Sequence, residues 1–431
     1  MSTEQGKLQD YAITPVPLEE RKGLFDMSVV FGGLSLSVTA WLIGGTIGSG
    51  MPLGLGILAI LLGNLFLGVY AGLFSMIGMK QGLSTTMISR IAFGKYGQMI
   101  SSTVMLLFFV GFVGVYAAMM AALINQLLGI PGEIAALVFM ILVCATAIYG
   151  FKGLTYLSRV GLPALGILVV FGLVQVGRLA GGFGEIWSAV PPGHLGFGAV
   201  VSSVIALWIV GATLSADIGR YGRKPLHSFI APIFAWGICV TLLESTALAA
   251  ALGAGTGDLV QILVGLNMLL PATVIYLILM WTSADNVLYS FSLALTNYEL
   301  TITQKLRLGK PFWTVLGSVI ALILGIYMFR VGITSAFLGY ILVIASAIPP
   351  IGGVLLAEYF LRGKFKADPE TLVMPIISFS AFIATIIGIL VAVNISAGVP
   401  ALQGMAAAAL SYYLIDIAVG DKLKAYAKGV K

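Results

Sequence analysis

The sequence predicts an all-α membrane protein with twelve transmembrane helices, and three observations support this fold class. First, 59% of the 431 residues are hydrophobic and only 9% are charged, with a mean hydropathy of +1.05. A soluble protein carries about 25% charged residues, so lipid rather than one core must cover the apolar surface. Second, long apolar runs recur along the chain. Third, Lys and Arg are confined to alternate connections between those runs.

Twelve apolar runs are long enough to cross a bilayer as helices. They lie near 27–48, 52–78, 98–126, 132–150, 157–180, 195–216, 227–252, 270–297, 313–329, 331–360, 373–393 and 399–419. Arg330 divides the ninth run from the tenth, which are neighbouring hydrophobic stretches. The 54 glycines fit the close helix packing and the helix breaks that occur in membrane proteins.

The placement of positive charge predicts the topology. With the N-terminus in the cytoplasm, all 23 Lys and Arg residues except Arg178 and Arg330 fall in cytoplasmic segments. One misplaced span would invert every later connection, so the pattern predicts twelve spans with both termini in the cytoplasm. The formal net charge of +6 is therefore explained by topology in a lipid bilayer, and binding to nucleic acid is not predicted. Residues 1–26 are polar and mixed in charge, so no cleavable signal peptide is predicted.

Two halves of opposite orientation are predicted within the first ten spans, because five spans per half is an odd number. The first half begins with a glycine-punctuated helix at 31–45, and the second begins with a similar helix at 206–217. Paired interrupted helices favour a binding site near the bilayer midplane. Tight packing through small residues is the alternative explanation.

The predicted organisation has five parts. They are a cytoplasmic N-terminal segment (1–26), a first five-helix repeat (27–180), a second, inverted five-helix repeat (195–360), two additional helices (361–419) and a cytoplasmic tail (420–431).

Four polar residues interrupt the otherwise apolar eighth span: Thr282, Ser283, Asp285 and Asn286. Two adjacent hydroxyls are hard oxygen ligands, and together with carbonyls freed by a broken helix they would suit Na⁺. The alternative is that the hydroxyls bond back to carbonyls of their own helix. Asp285 is harder to explain by packing, because an unpaired carboxylate at this depth is costly.

Aromatic side chains stand beside glycines in two other spans. Trp208 lies close to a glycine of the sixth span, and the third span carries Phe108, Phe109 and Phe112. Such side chains can sandwich a planar ligand by stacking, and the alternative is ordinary packing.

Further charged residues have two interpretations each. Asp217 and Arg220 form either a charged latch at the cytoplasmic mouth or a positive-inside anchor with an incidental acid. Glu244 and Asp416 are intramembrane acids, and each is either a proton site or paired with a neighbour. Pairing with a neighbour is the favoured interpretation.

The sequence shows few features typical of an enzyme or of a metal site. Cys144 and Cys239 lie inside apolar runs and are interpreted as small buried side chains. His194 and His227 have no Cys or carboxylate at metal-ligand spacing. The sequence contains no phosphate-binding loop, nucleophile elbow or zinc motif. An enzyme is therefore not predicted.

Four segments carry a family resemblance: 15–23 (PVPLEERKG), 44–50 (GGTIGSG), 215–223 (SADIGRYGR) and 281–289 (WTSADNVLY). Their order and spacing resemble the nucleobase:cation symporter family, and bacterial cytosine permeases in particular. The resemblance extends from about residue 14 to about residue 415. It implies a LeuT-like fold with two inverted five-helix repeats plus two C-terminal helices, alternating access, and a bacterial inner membrane.

The resemblance also implies a Na⁺ site between the first and eighth spans. Its ligands would be the carbonyls of Ser37, Ala40 and Leu279 with the side chains of Thr282 and Ser283. Both hydroxyl residues are present, so the coupling-ion site is predicted to be intact.

The implied substrate site departs from the cytosine-permease pattern. Its positions are Phe109, Phe112, Leu207, Trp208, Leu279 and Ala284. Cytosine permeases carry Gln and Trp at the first two positions, Ser-Phe at the next two, and Asn at the last two. Here the aromatic surfaces persist while the polar groups that would read a nucleobase edge are mostly replaced, so a less polar planar ring is expected instead of cytosine.

The predicted function is Na⁺ symport of a small planar heterocycle, with no obligatory protein partner. Three rivals are a proton-coupled symporter that uses Asp285 or Glu244, a passive facilitator or channel on the same scaffold, and a membrane enzyme. The lack of a catalytic constellation speaks against the last of these.

Overall fold

The structure is a computed structural model, and it describes most of the chain. The described residues are 11, 15–35, 39–149, 163, 167, 170, 172–178, 181–255, 267–366, 374–395 and 397–425. The predicted fifth span, 157–180, is thus described only in part, with residues 172–178 helical, and Ser37 lies outside the described residues.

Seven α-helices are labelled in the first part of the chain. They are α1 (Leu24–Ser35), α2 (Thr39–Gly48), α3 (Leu53–Gln81), α4 (Thr85–Phe93), α5 (Gly97–Leu128), α6 (Gly132–Ile148) and α7 (Phe183–Ser188). Glycines in left-handed conformation follow the long helices α3 and α5, where they allow the chain to turn back.

Nine α-helices are labelled in the remainder. They are α8 (Phe197–Thr213), α9 (Ala216–Gly219), α10 (Pro225–Ile233), α11 (Thr241–Ala254), α12 (Leu269–Thr303), α13 (Gly309–Val331), α14 (Ile333–Leu356), α15 (Phe379–Asn394) and α16 (Pro400–Leu423). A π-helical turn, Phe234–Val240, joins α10 to α11, and a second one, Ala357–Leu361, continues α14.

Seven helical stretches of the described chain are long and apolar enough to cross a bilayer, and three shorter apolar helices accompany them. Large apolar side chains point outward from these helices, for example Leu107 at 69%, Ile141 at 59% and Leu414 at 64% exposure. Water would not tolerate such a continuous apolar surface, whereas lipid does. The chain is therefore a multi-pass membrane protein, and the count of twelve spans stays a prediction.

Helix boundaries follow the predicted runs to within about four residues, with two exceptions. The eleventh run was predicted to begin at 373, but α15 begins at Phe379. The break between α13 and α14 falls at Gly332, two residues after Arg330, and its φ of +99° is one that glycine adopts without strain. The eighth span was predicted to end at 297, but α12 continues to Thr303. Arg90 donates hydrogen bonds to Asn297 and Thr301, which keeps the polar end of this helix packed.

The second predicted helix interruption corresponds to a pair of helices, because α8 ends at Thr213 and α9 begins at Ala216. The first stays a prediction, because residues 36–38, between α1 and α2, lie outside the described residues. Small residues also allow close packing beside the second interruption, because a Cβ added to Gly78 would lie 2.5 Å from the Ala216 carbonyl oxygen. Close packing through small residues is therefore observed here, and the midplane binding site stays a prediction.

Several connections meet at one end of the helices, which we call the basic end. It comprises residues 15–23, 82–96, 220–224 and 374–378. The Lys22 N–H donates to the Tyr221 carbonyl (2.6 Å), and the Lys95 N–H donates to the Pro375 carbonyl (2.7 Å). The N-terminal segment and the segment before α15 are therefore both part of this end.

The C-terminal helices are fastened beside the basic end. β1 (Ile377–Ser378) pairs antiparallel with β2 (Lys424–Ala425). Asp416 of α16 is buried and forms ion pairs with Arg362 (3.0 Å) and Lys424 (2.6 Å). Asp416 is thus a paired acid, as the favoured interpretation held.

Candidate functional site

Thr282 and Ser283 lie in the middle of α12, and both are buried. The Thr282 hydroxyl donates to the Ile278 carbonyl at 2.8 Å, which is the back-bond considered as the alternative to ion binding. A hydroxyl that donates its proton keeps its oxygen lone pairs free to accept. The back-bond and a cation contact are therefore compatible.

Helices α2 and α12 touch at Tyr276, nearly two turns before these hydroxyls. The rings of Trp41 and Tyr276 approach edge-to-face, with centroids 6.2 Å apart and planes at 72°. Ala40 precedes Trp41, and Leu279 lies one turn after Tyr276, so these two predicted carbonyl ligands stand on adjoining helices. The role of all four residues in ion binding stays a prediction.

The six predicted substrate positions come from three helices. Phe109 and Phe112 belong to α5, Leu207 and Trp208 to α8, and Leu279 and Ala284 to α12. All six are buried in one continuous apolar cluster. This cluster extends through most of the protein, so burial is consistent with the six positions, while their grouping around a substrate stays a prediction.

Open space borders this cluster at Gly211, one turn after Trp208. A Cβ added to Gly211 would meet no atom within 4 Å, although its neighbours in α8 are buried. Gly211 itself is only partly buried, so α8 is less closely packed here than around Trp208.

Trp208 does not offer its N–H to this space. Its indole Nε1 donates to Glu244 Oε1 at 3.0 Å, and the Asn64 amide donates to Glu244 Oε2 at 2.7 Å. Glu244 is fully buried. The carboxyl thus joins α3, α8 and α11, and Glu244 is paired as the favoured interpretation held. Asn64 was not singled out in the sequence, because it lies 180 residues from Glu244.

Asp285 belongs to a second buried network. The Thr146 hydroxyl donates to Asp285 Oδ1 at 3.1 Å, and the Trp281 indole donates to the Thr146 oxygen at 2.9 Å. Asp285 Oδ2 has no hydrogen-bond partner among the described residues. The carboxylate is attracted electrostatically by Lys310.

The position of Lys310 differs from the prediction. Charge placement assigned it to a cytoplasmic segment before the ninth span, but it lies in the first turn of α13 and is 1% exposed. Its ammonium donates to the Ala147 carbonyl at 3.1 Å and lies 5.0 Å from the centre of the Tyr289 ring. Helix C-termini and aromatic faces both attract cations, which with Asp285 explains why this charge is tolerated inside.

Asp217 and Arg220 meet at the basic end, and both are buried. Asp217 attracts Arg220 electrostatically, and its Oδ1 accepts the Thr85 N–H at 2.7 Å. The carboxylate therefore caps the N-terminus of α4 from a distant segment. A surface anchor is the wrong description of Arg220, because its exposure is 0%.

Arg220 connects the interrupted sixth span with α12. Its guanidinium donates to the Tyr289 hydroxyl at 2.9 Å and to the Tyr11 carbonyl at 2.6 Å. Tyr289 therefore contacts Arg220 through its hydroxyl and Lys310 through its ring. Four buried polar residues therefore follow one another through the core: Arg220, Tyr289, Lys310 and Asp285.

The sequence is similar to those of known membrane transporters. Residues 15–420 match the model of a family described as permeases for cytosine/purines, uracil, thiamine and allantoin. Cytosine permease from Escherichia coli strain K12 is 28% identical over 411 residues, which cover 95% of each chain.

Solved structures show the fold. Mhp1, a nucleobase-cation-symport-1 family transporter in a closed conformation with bromovinylhydantoin bound, has a TM-score of 0.79 at 17% identity, with 96% of each chain covered. A Na⁺-coupled sialic acid symporter in a substrate-bound outward-open state has a TM-score of 0.70 at 12% identity, covering 98% of this chain and 93% of the symporter.

Proposed function

Because the chain belongs to the permease family for cytosine/purines, uracil, thiamine and allantoin, and is a transporter rather than an enzyme, we propose that it imports a small planar heterocycle by Na⁺ symport. Import would proceed by alternating access across the bacterial inner membrane, with both termini in the cytoplasm. The basic end then faces the cytoplasm.

One observation carries the ion part of the proposal: two adjacent buried hydroxyls stand on α12, the helix whose Tyr276 contacts Trp41 of α2. Thr282, Ser283 and the carbonyls of Ala40 and Leu279 are all hard oxygen donors, which fits an alkali cation. Na⁺ bound there would tie α2 to α12. Coupling then requires only that substrate bind better when the ion is present.

The Na⁺ proposal predicts a specific effect of the hydroxyls. Thr282→Ala combined with Ser283→Ala removes both side-chain oxygens, so Na⁺ stimulation of uptake into proteoliposomes should disappear, while any Na⁺-independent binding remains. Thr296→Ala is the matched control, because Thr296 makes the same kind of back-bond on the same helix, to Ser292 at 2.7 Å. Retention of full Na⁺ stimulation by the double variant would contradict the ion site.

The substrate class follows from the side chains at the predicted substrate positions. Phe109, Leu207, Leu279 and Ala284 offer no polar side-chain atoms. A buried polar group left without a partner costs about 1–3 kcal/mol. Cytosine, with several donors and acceptors, is therefore a poor fit, and a flat ring with one or two polar atoms is a better one.

A competition panel tests this preference. Cytosine, uracil, hypoxanthine, bromovinylhydantoin and indole would compete for binding to the purified protein in Na⁺, and we expect the less polar rings to bind more tightly than cytosine. Phe109→Gln, Leu207→Ser and Leu279→Asn together should shift the preference toward cytosine. Tight cytosine binding by the parental protein would show instead that backbone groups or water read the base.

Proton symport is the second candidate, and one observation favours it. Asp285 is buried with one oxygen unbonded among the described residues, two positions from Ser283. An intramembrane acid of this kind is a common proton carrier in transporters. Uptake driven by a pH gradient in Na⁺-free buffer would favour this candidate over Na⁺ symport.

A further inference from the structure

The indole of Trp208 is held on its edge by a buried carboxyl group. Trp208 is 6% exposed, Glu244 is 0% exposed, and their hydrogen bond is 3.0 Å long. An indole has only one polar hydrogen, so a ligand beside Trp208 finds no donor there. What remains available is the face of the ring. Glu244 therefore influences what Trp208 can recognise.

Both hydrogen-bond partners of Glu244 are neutral. Among the described residues, no positively charged side chain is bonded to Glu244. A buried carboxylate without a positive partner is costly. The adjoining helices α2 and α8 contain no acidic or basic residues; α3 carries Lys80 at its far end, and Glu185 of α7 is exposed. A neutral, protonated carboxyl fits this site better than a charged one.

Asn64 has an acceptor that suits a protonated carboxyl. Its Oδ1 has no hydrogen-bond partner in the part of the chain that the structure describes, while its Nδ2 faces Glu244 Oε2 at 2.7 Å. Rotating this amide by 180° would place Oδ1 opposite the carboxyl, where it accepts the acid proton. Glutamine at position 244 would make the same two contacts.

We infer that Glu244, held by Asn64, is a positioning residue that fixes the Trp208 indole so that its ring face, and not its N–H, meets the substrate. This inference rests on the proposed function, in which Trp208 stacks on a planar ring. It also assigns Glu244 a structural task in recognition, which a neutral carboxyl can perform. The contact at Trp208 then selects substrates by the flatness and polarisability of their rings.

A double-mutant cycle tests the inference, with the most tightly bound ring of the panel above as the probe. Glu244→Leu should weaken binding about tenfold, since one hydrogen bond orients the indole. Glu244→Gln should restore affinity to within about threefold of the parental protein. In a Trp208→Phe background the ring has no N–H, so Glu244→Leu should cause no further loss.

Controls separate positioning from general damage. Thr246→Val removes a buried hydroxyl two residues away that only bonds back to Leu242, and it should leave binding unchanged. If Glu244→Leu fails to fold, Asn64→Leu takes its place in the cycle, because it removes the other support of the carboxyl. Equal losses in the parental and the Trp208→Phe backgrounds, or a Glu244→Gln variant as weak as Glu244→Leu, would overturn the inference.

The proposed function has its own readout in the same experiment. Trp208→Ala should weaken binding of the probe by about 10- to 100-fold if the ring stacks on Trp208. Unchanged affinity in that variant would contradict the stacking site itself. Loss of affinity in Trp208→Ala together with an additive cycle would contradict only the role of Glu244.

Discussion

Replacing Arg220 by methionine is expected to abolish uptake and to destabilise the protein by about 3–5 kcal/mol, the cost of removing one partner from a buried ion pair. Arg220 is fully buried, and Asp217 would lose the positive charge that attracts it. The hydrogen bonds to Tyr11 and Tyr289 would disappear as well. Thermal unfolding in detergent and uptake by proteoliposomes would measure the two effects.

Arg223→Met is the matched control for this experiment. Arg223 lies three residues later in the same connection, but it is exposed and its side chain donates to the Arg21 carbonyl at 2.9 Å. Removing an exposed charge changes stability little. A stable and active Arg220→Met protein would mean that the contacts between Arg220 and α12 are dispensable for closing the basic end.

Replacing Lys310 by methionine is expected to have an effect of similar size. The buried Asp285 carboxylate would lose its positive partner, while the Ala147 carbonyl and the Tyr289 ring would face an uncharged side chain. Breaking such a pair costs about 3–5 kcal/mol, whereas neutralising both partners is often tolerated. Lys310→Met together with Asp285→Asn should therefore recover much of the lost stability.

Lys305→Met, an exposed position in the same connection, should leave the melting temperature close to that of the parental protein. The Asp285→Asn change lies close to the proposed ion site, so uptake by the double variant is not expected to recover with its stability. A double variant that melts lower than Lys310→Met would show that Lys310 and Asp285 do not stabilise one another.

The sequence was sufficient for the fold class because lipid imposes strong constraints on composition. Apolar length predicted long helices where the described chain is helical, and the predicted break beside Arg330 falls at Gly332. The polar residues of the eighth span were also visible, since Thr282, Ser283 and Asp285 stand out in an apolar helix. In each case the signal is local, so one stretch of sequence contains it.

Contacts between side chains on distant segments could not be predicted in this way. Thr146 lies 139 residues from Asp285, and nothing in its own surroundings marks it as a partner for a carboxylate. Lys310 was misplaced for a related reason. The positive-inside rule treats a lysine near a helix end as solvated, whereas its burial depends on Asp285, Tyr289 and the end of α6, which only the folded arrangement brings together.

Helix α4 is hydrogen-bonded at its two ends to two different helices of the predicted second repeat. Its first amide donates to Asp217 of α9, and Arg90 in its last turn donates to Asn297 of α12. Nine residues are too few to hold a helix together alone. If the basic end opens by separating α9 from α12, this helix must release one attachment or unwind. We therefore expect α4 to keep both attachments only while α9 and α12 stay close together.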